Sequence, residues 1–253
     1  MSERQFHIQC TAEDIGKYVF LPGDPGRTEW IASYLEHPVK TAQNREFTTW
    51  TGTLDGTKVS VTSTGIGGPS TAIAMEELAA LGAHTFLRIG TCGGMQPELI
   101  PGTLIIPTGA IRMEGTSQEY VPLAFPAVPD FGLTQHLVCA AQELAYDYRT
   151  GVVQCKDAFY GQHDPDSMAV GYELKNKWDA WIKMGCLASE METAALLIAG
   201  SYLRVRVGAC FLVLANQERA KKGLSNVQAH DTKAAIETAV EAVRELIKAD
   251  KAD

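Results

Sequence analysis

The chain has 253 residues, 45% hydrophobic and 21% charged, the balance of an ordinary globular protein rather than a disordered or fibrous one. Its formal net charge of −8 argues against a nucleic-acid surface, which needs clustered Lys and Arg; the pair Lys221-Lys222 reads as solvated loop. No apolar run approaches the roughly 20 residues that span a bilayer, and the scattered histidines (His7, His37, His84, His136, His163, His230) have no zinc-ligand spacing.

The six cysteines (Cys10, Cys92, Cys139, Cys155, Cys186, Cys210) form no Cys-x-x-Cys pair, and several sit in apolar runs where a free thiol behaves as a small hydrophobe. With no signal-peptide pattern at the N-terminus, the expectation is a reducing cytoplasm.

The first apolar run, Tyr18 to Leu21, reads as a short buried strand. It ends in Pro22-Gly23-Asp24-Pro25-Gly26-Arg27, whose prolines and glycines predict a tight loop without helix or ladder. Trp30, Ile31, Tyr34 and Leu35 then repeat at helical spacing, which sets Arg27 near a helix N-terminus, a position that favours anions. The polar stretch Gln43 to Phe47 leads into alternating strands about Asp55-Gly56, a type I′ hairpin signal.

The run Val59 to Ser63 enters Thr64-Gly65-Ile66-Gly67-Gly68-Pro69-Ser70. Here Pro69 suits a first helical turn and Gly82 a helix stop. The glycines suggest a dinucleotide loop but do not complete its pattern, since Ser70 stands where the third glycine belongs.

Next comes the strand His84 to Ile89, breaking into a predicted loop Gly90-Thr91-Cys92-Gly93-Gly94. Arg88 interrupts this apolar run, and an always-charged guanidinium is costly to bury alone. On these residues alone a structural ion pair and a small anion site built with Thr91 are both open.

Strands are expected at Thr103 to Ile106, Gly151 to Cys155 and Val205 to Ala215, and the segment Arg112 to Asp130 reads as loop. Helices are expected at Leu133 to Leu144, at Tyr172 to Met184, and around Ile236, Val240, Val243 and Ile247. Lys156-Asp157-Ala158-Phe159-Tyr160-Gly161-Gln162 is a polar and aromatic loop of the kind that holds planar ligands. Glu190-Met191-Glu192 stands at a strand-to-helix junction, where carboxylates also occur simply to complement the helix dipole. Without linker or repeat, residues 1–253 read as a single α/β domain whose polar signals follow strand ends.

Phe6-His7, Gly23-Asp24-Pro25-x-Arg27, Asn44-Arg45-Glu46-Phe47, Ser63 to Ser70, Arg88-Ile89-Gly90-Thr91, Phe125-Pro126-Ala127-Val128-x-Asp130-Phe131 and Glu190-Met191-Glu192 form a specific set in order along the chain. On these residues the sequence resembles, over nearly its whole length, the nucleoside phosphorylase family of purine nucleoside and uridine phosphorylases, and within it the bacterial uridine branch. The resemblance implies a three-layer α/β/α fold with a mixed, partly closed central sheet, assembled into hexamers built from dimers. It implies no required cofactor and inorganic phosphate as co-substrate beside the nucleoside. It assigns phosphate contacts to Gly23, Arg27, Arg88 and Thr91, with Arg45 reaching in from a neighbouring subunit. Ribose contacts fall to Met191 and Glu192, with His7 supplied by the neighbour, and base contacts to Phe159, Gln162 and Asn216. Arg88 and Glu192 are the expected catalytic pair, and Glu46, Ile66 and Ser70 match a monovalent cation (K+) site at a dimer interface.

The implied chemistry suits these side chains. Phosphorolysis needs an anionic nucleophile below C1′ of the ribose and a leaving base above it. Guanidiniums and a hydroxyl hold a phosphate dianion by charge-assisted bonds. A carboxylate anchors the sugar hydroxyls and favours the positive charge developing on the ring.

The base pocket departs from the pattern. Where uridine phosphorylases usually carry two arginines, this chain has Asp164 and Gln217, with Arg219 or His163 as substitutes to be weighed. Where purine enzymes place an acidic aspartate, it has Asn216, whose amide is no acid. The expected activity is phosphate-dependent cleavage of uridine to uracil and ribose 1-phosphate, with phosphorolysis of purine or other nucleosides as the alternative. A hydrolytic nucleosidase has no use for three arginines, and a binding protein without turnover has none for Glu192.

Overall fold

The computed structural model describes residues 3–252. Strand β1 (Tyr18–Pro22) runs into a 3₁₀ turn at Pro25–Arg27 and helix α1 (Thr28–Ala32). Strands β2 (Glu36–Asn44), β3 (Phe47–Leu54) and β4 (Thr57–Thr62) form an antiparallel meander. Helix α2 (Gly68–Ala80) precedes β5 (Thr85–Gly94) and β6 (Leu104–Met113), followed by α3 (Thr116–Tyr120) and α4 (Phe131–Glu143). Then come β7 (Tyr148–Lys156), α5 (Tyr160–His163), α6 (Gly171–Lys183), β8 (Ala188–Glu190) and α7 (Thr193–Leu203). Strand β9 (Arg206–Ala215), α8 (Gln217–Lys221) and α9 (Lys233–Ala252) complete the order.

The strands form one mixed sheet in the order β2-β3-β4-β1-β5-β8-β7-β6-β9, with β5 also paired to β9. That extra pairing closes β5, β8, β7, β6 and β9 into a ring, so the sheet is partly a barrel, as expected. β9 accompanies β5 from Thr85 to Gly93 on one edge. The other edge is shared: β1 pairs with Thr85 to Ile89, and β8 with Gly93 and Gly94. The two partners diverge at Gly90 to Cys92, which leaves a crevice of the kind where open α/β sheets take ligands.

Helices cover both faces. Strand alternation sends Phe20, Leu87 and Ile89 toward Leu133, Leu137, Ile236, Val240 and Val243 of α4 and α9. Val19, Leu21 and Phe86 face the opposite way, toward Met75, Leu78, Leu196 and Ile198 of α2 and α7. Arg88 shares the parity of Phe86, so the pleat aims it at the α7 side. The barrel interior is packed by Ile105, Val153, Ala209, Phe211 and Val213.

The structure corrects several boundaries. Gly90 to Gly94 is not a loop, because the strand continues to Gly94 under its pairing with β9. Gly90 gives the Phe211 ring a close approach, since a Cβ there would stand 3.0 Å from it and push the ring aside. Segment 112–130 is only partly loop: β6 runs to Met113, α3 follows, and the Arg112 guanidinium ties the rest down through the carbonyls of Ser117, Val121, Pro122 and Phe125 at 2.7–2.8 Å. The proline-glycine loop contains the 3₁₀ turn, because Asp24 Oδ1 accepts from Gly26 N at 2.8 Å and caps it. The Asp55-Gly56 turn holds, with both φ angles positive (49° and 71°).

Candidate active site

The crevice widens into a cavity of about 1060 Å³. Three segments build its floor: the turn after β1, the glycine loop before α2, and the centre of β5. Gly23, Arg27, Arg88 and Thr91 all line it. Arg88 is 5% exposed. Its Nη2 donates to Glu192 Oε2, and its Nε stands 3.7 Å from Glu190 Oε2. Nε and Nη1 are buried without any hydrogen-bond partner. A methyl on Gly23 would come within 3.7 and 3.8 Å of Nη1 and Nη2, so the glycine leaves open the space beside the guanidinium. Arg27 has only a distant Asp24 carboxylate, 3.9 Å away. Burial, and then the like charge of Arg88, lower its pKa against the counter-pull of Asp24. Two guanidiniums that repel across one cavity, one of them with orphaned donors, describe an anion site.

The two carboxylates of Glu190-Met191-Glu192 divide the work. Glu190 accepts from the backbone N–H groups of Glu192 at 2.9 Å and Thr193 at 3.0 Å, and so caps the start of α7. Complete burial and the charge of Glu192 push its carboxyl pKa up, with Arg88 opposing. Glu192, 4% exposed, is clamped from the other side by Gly67 N at 2.7 Å. The glycine loop, at φ +95° for Gly67, thus spends its amide on a carboxylate rather than on a dinucleotide. Met191 lines the cavity beside it.

At the opposite end stand Phe159, Gln162, His163, Lys156, Ser189 and Gln217. The ring centroids of Phe159 and His163 lie 4.4 Å apart with the planes tilted by 38°. Ser189 Oγ lies 2.8 Å from Gln162 Oε1, and Lys156 Nζ donates to that same hydroxyl. Gln162 Nε2 turns toward Gln217 Oε1 at 3.4 Å. A second cavity of about 710 Å³, walled by Met113, Trp178 and Trp181, adjoins this end and shares Lys156, Gln162, His163 and Gln217.

Comparison with known proteins gives the family. The Phosphorylase superfamily matches residues 17–249. The chain is 59% identical over 246 residues to the uridine phosphorylase of Treponema pallidum (strain Nichols), covering 97% of this chain and 95% of that one. It is 41% identical to the uridine phosphorylase of Escherichia coli (strain K12), covering 96% and 98%. It is also 37% identical to the guanosine phosphorylase of Halorubrum lacusprofundi, covering 84% of each. The chain belongs to the phosphorylase superfamily.

Within this phosphorylase chain, most residues singled out from the sequence converge on the larger cavity: Gly23, Arg27, Glu46, Ile66, Arg88, Thr91, Phe159, Gln162, Met191 and Glu192. His7 and Arg45 do not line it. They are neighbours elsewhere: Asn44 Nδ2 donates to the His7 carbonyl at 2.8 Å, while Glu77 accepts from His7 N at 3.0 Å and engages its Nδ1 at 2.6 Å. Ser70 Oγ donates to Glu46 Oε1 at 2.8 Å.

Asn216 is a correction. It is fully buried; its Nδ2 donates to the carbonyls of Gln96 and Leu99 at 2.8 Å, and its Oδ1 caps α8. With donors and acceptor committed to backbone, it presents nothing to a base. Asp164 is exposed outside both cavities, and Arg219 is bound to the carbonyls of Pro97 and Ser225, so neither replaces a missing arginine. Sequence reasoning placed Lys156 in the planar-ligand loop but gave it no role of its own, and it missed Ser189 as a cavity residue. The signal for Lys156 was available: a charge directly after the apolar Val152-Val153-Gln154-Cys155 run.

Proposed function

We propose that this protein cleaves the N-glycosidic bond of uridine with phosphate, giving uracil and ribose 1-phosphate, as a pentosyltransferase. The observation that carries this is the buried Arg88 guanidinium, with Nε and Nη1 unpartnered at a cavity it shares with Arg27 and Glu192. A hydrolase needs no such anion site.

In this reading phosphate sits among Gly23, Arg27, Arg88 and Thr91, with Arg45 reaching in from a second copy. Glu192, oriented by Arg88 and Gly67, holds the ribose hydroxyls, with Met191 beneath the sugar and the second copy's His7 at its far end. Phe159 and Gln162 face the base. A phosphate oxygen approaches C1′ as the C1′–N bond breaks and the electron pair leaves with the base. Glu192 supports the positive charge on the ring, and alignment with electrostatics supplies the rate, with no covalent enzyme intermediate.

The shared site requires a homo-oligomer, which we take to be a hexamer built from dimers. The bond from Asn44, next to Arg45, to the His7 carbonyl, together with the absence of His7 and Arg45 from the lining of their own cavity, supports it. A K+ ion shared by Glu46, Ile66 and Ser70 of two copies accords with the oxygen chemistry of that cluster. Among the described residues no helix is long and apolar enough to cross a membrane. Among the described residues five buried free cysteines accord with a cytoplasmic location, and one continuous sheet accords with one domain over residues 1–253.

Phosphorolysis of a purine nucleoside is the second reading, favoured by the adjoining 710 Å³ cavity, which offers room for a larger base. A panel of uridine, inosine, guanosine and adenosine with and without phosphate decides. Uridine cleaved only with phosphate supports the first reading. Purine cleavage with inert uridine selects the second, and equal turnover without phosphate overturns both.

A further inference from the structure

Lys156 is 7% exposed at the end of β7, yet no carboxylate is bonded to it. Glu190, the nearest candidate, is turned toward the α7 amides and Arg88. Its hydrogen-bond partner is the hydroxyl of Ser189. An ammonium has three donors, so two of them have no acceptor among the described residues although the group lines both cavities. Burial works against its charge, and Glu190 and Glu192 restore part of it. Burying a cation with so little compensation is unfavourable unless something else in the cavity uses it.

Its place indicates the use. Arg27 and Arg88 stand at the anion end of the cavity; Lys156 stands at the other, in a chain of contacts with Ser189 and Gln162. That chain also orients Gln162: its Oε1 accepts from the Ser189 hydroxyl, whose proton is shared with Gln154 Oε1. Of the two Nε2 protons, one is directed at Gln217 Oε1 at 3.4 Å while the other is left as a donor to the cavity. Cation and amide therefore both offer N–H groups at the Phe159 end, where an acceptor of growing negative charge is satisfied.

We propose that Lys156 is a catalytic residue that binds the carbonyl edge of the departing base and stabilises the negative charge it develops, with Ser189 as its positioning residue. The inference rests on the phosphorylase reading. As the phosphate O–C1′ bond forms and C1′–N1 breaks, the electron pair passes to N1 and spreads onto the ring carbonyl oxygens. The ammonium and Gln162 Nε2 donate to those oxygens, and water later supplies the proton that gives neutral uracil.

The test compares uridine with 5-fluorouridine, whose base is the better leaving group, at saturating phosphate. Lys156→Met and Lys156→Gln are expected to lower kcat on uridine by about 10²-fold, the loss typical of one preorganised contact. The loss on 5-fluorouridine is expected to be smaller, so the ratio of the two rates rises about tenfold, with phosphate KM nearly constant. Lys156→Arg, which keeps the charge, keeps the wild-type ratio. A folded neutral variant whose ratio equals wild type overturns the proposal, however slow it is. Should neither neutral variant fold, the wild type decides by product inhibition: the anionic base 5-nitrouracil must bind more tightly than neutral uracil, and equal or weaker binding overturns the inference. A wild type that phosphorolyses uridine while failing these tests loses only Lys156; a wild type inert to every nucleoside loses the phosphorylase reading as well.

Discussion

Gly23→Ala tests the anion site without altering any charge in it. The added methyl would stand 3.2 Å from the Gly65 carbonyl oxygen and 3.7 and 3.8 Å from Arg88 Nη1 and Nη2. The first contact is tight but asks the glycine loop to move only slightly, at a cost of about 1 kcal/mol in stability. The other two are ordinary van der Waals distances, so the guanidinium keeps its place. What the methyl removes is the space from which an anion reaches the orphaned Nη1. Losing one hydrogen bond to a charged group costs about 1.5–3 kcal/mol, which corresponds to about a 10- to 100-fold rise in phosphate KM.

The assay is initial-rate phosphorolysis with phosphate varied at saturating nucleoside, then the reverse, beside a thermal melt. The expected pattern is a raised phosphate KM with nucleoside KM nearly unchanged and a melting temperature a few degrees lower. If phosphate KM moves by less than about twofold while nucleoside KM rises, the anion does not sit between Gly23 and Arg88.

Three further outcomes are expected. Subunits carrying Arg45→Ala and subunits carrying Arg88→Met, each inactive alone, should recover about a quarter of wild-type activity on random mixing, as sites shared across an isologous pair require; mixed oligomers without activity would refute the shared site. Asp250 accepts from Arg206 Nη1 and Nη2 at 2.7 and 2.6 Å and from Tyr18 Oη at 2.6 Å, and the Arg206 bonds hold its pKa down at about 2. A carboxyl with a depressed folded pKa stabilises the fold above its unfolded pKa and loses that stabilisation as pH falls toward 2. Asp250→Asn should therefore cost about 1 kcal/mol at neutral pH, after allowing for solvent screening, and flatten acid denaturation; an unchanged acid limb refutes this. Asn216→Ala should lower stability by about 2–4 kcal/mol, because it strips two buried carbonyls of their donor and α8 of its cap, while leaving base preference untouched. A switch in the uridine-to-inosine ratio would return Asn216 to the base pocket.

Legibility in the sequence followed the range of the forces involved. The alternation of α and β elements, the Asp55-Gly56 hairpin and the long helices were readable because local periodicity and turn chemistry determine them. Strand β2 was not, since Glu36 to Asn44 is an edge strand with little burial, and its ladder to β3 has two register shifts. The length of β5 was not readable either: five residues containing three glycines look like a loop, and only the long-range pairing with β9 makes them strand. Asn216 was misassigned for a related reason. An amide at a strand end looks like a ligand group until the buried carbonyls of Gln96 and Leu99 are known to face it. At Glu190-Met191-Glu192 the helix-capping reading holds on Glu190, and Glu192 is the carboxylate left for the proposed sugar contact.

The awkward charge in the β5 run illustrates how such a site is maintained. Arg88 is both of the things an apolar strand with one arginine suggests: an ion pair to Glu192 and, through Nε and Nη1, an open anion receptor. A structural pair alone would leave no reason for the orphaned donors, and replacing buried ion pairs by apolar groups is often neutral or stabilising. The arrangement is therefore poorer as a core than a leucine would be. Arg27 compounds this by adding a second guanidinium whose charge Arg88 opposes. Glu190 and Glu192 offset part of that charge, but Glu190 is committed to α7 and Glu192 is also held by Gly67 N at the cavity wall. An incoming dianion relieves the repulsion between the arginines and satisfies the donors together. On the proposed function, the repulsion between the arginines and the unpartnered Arg88 donors together favour a doubly charged, multi-oxygen nucleophile over water.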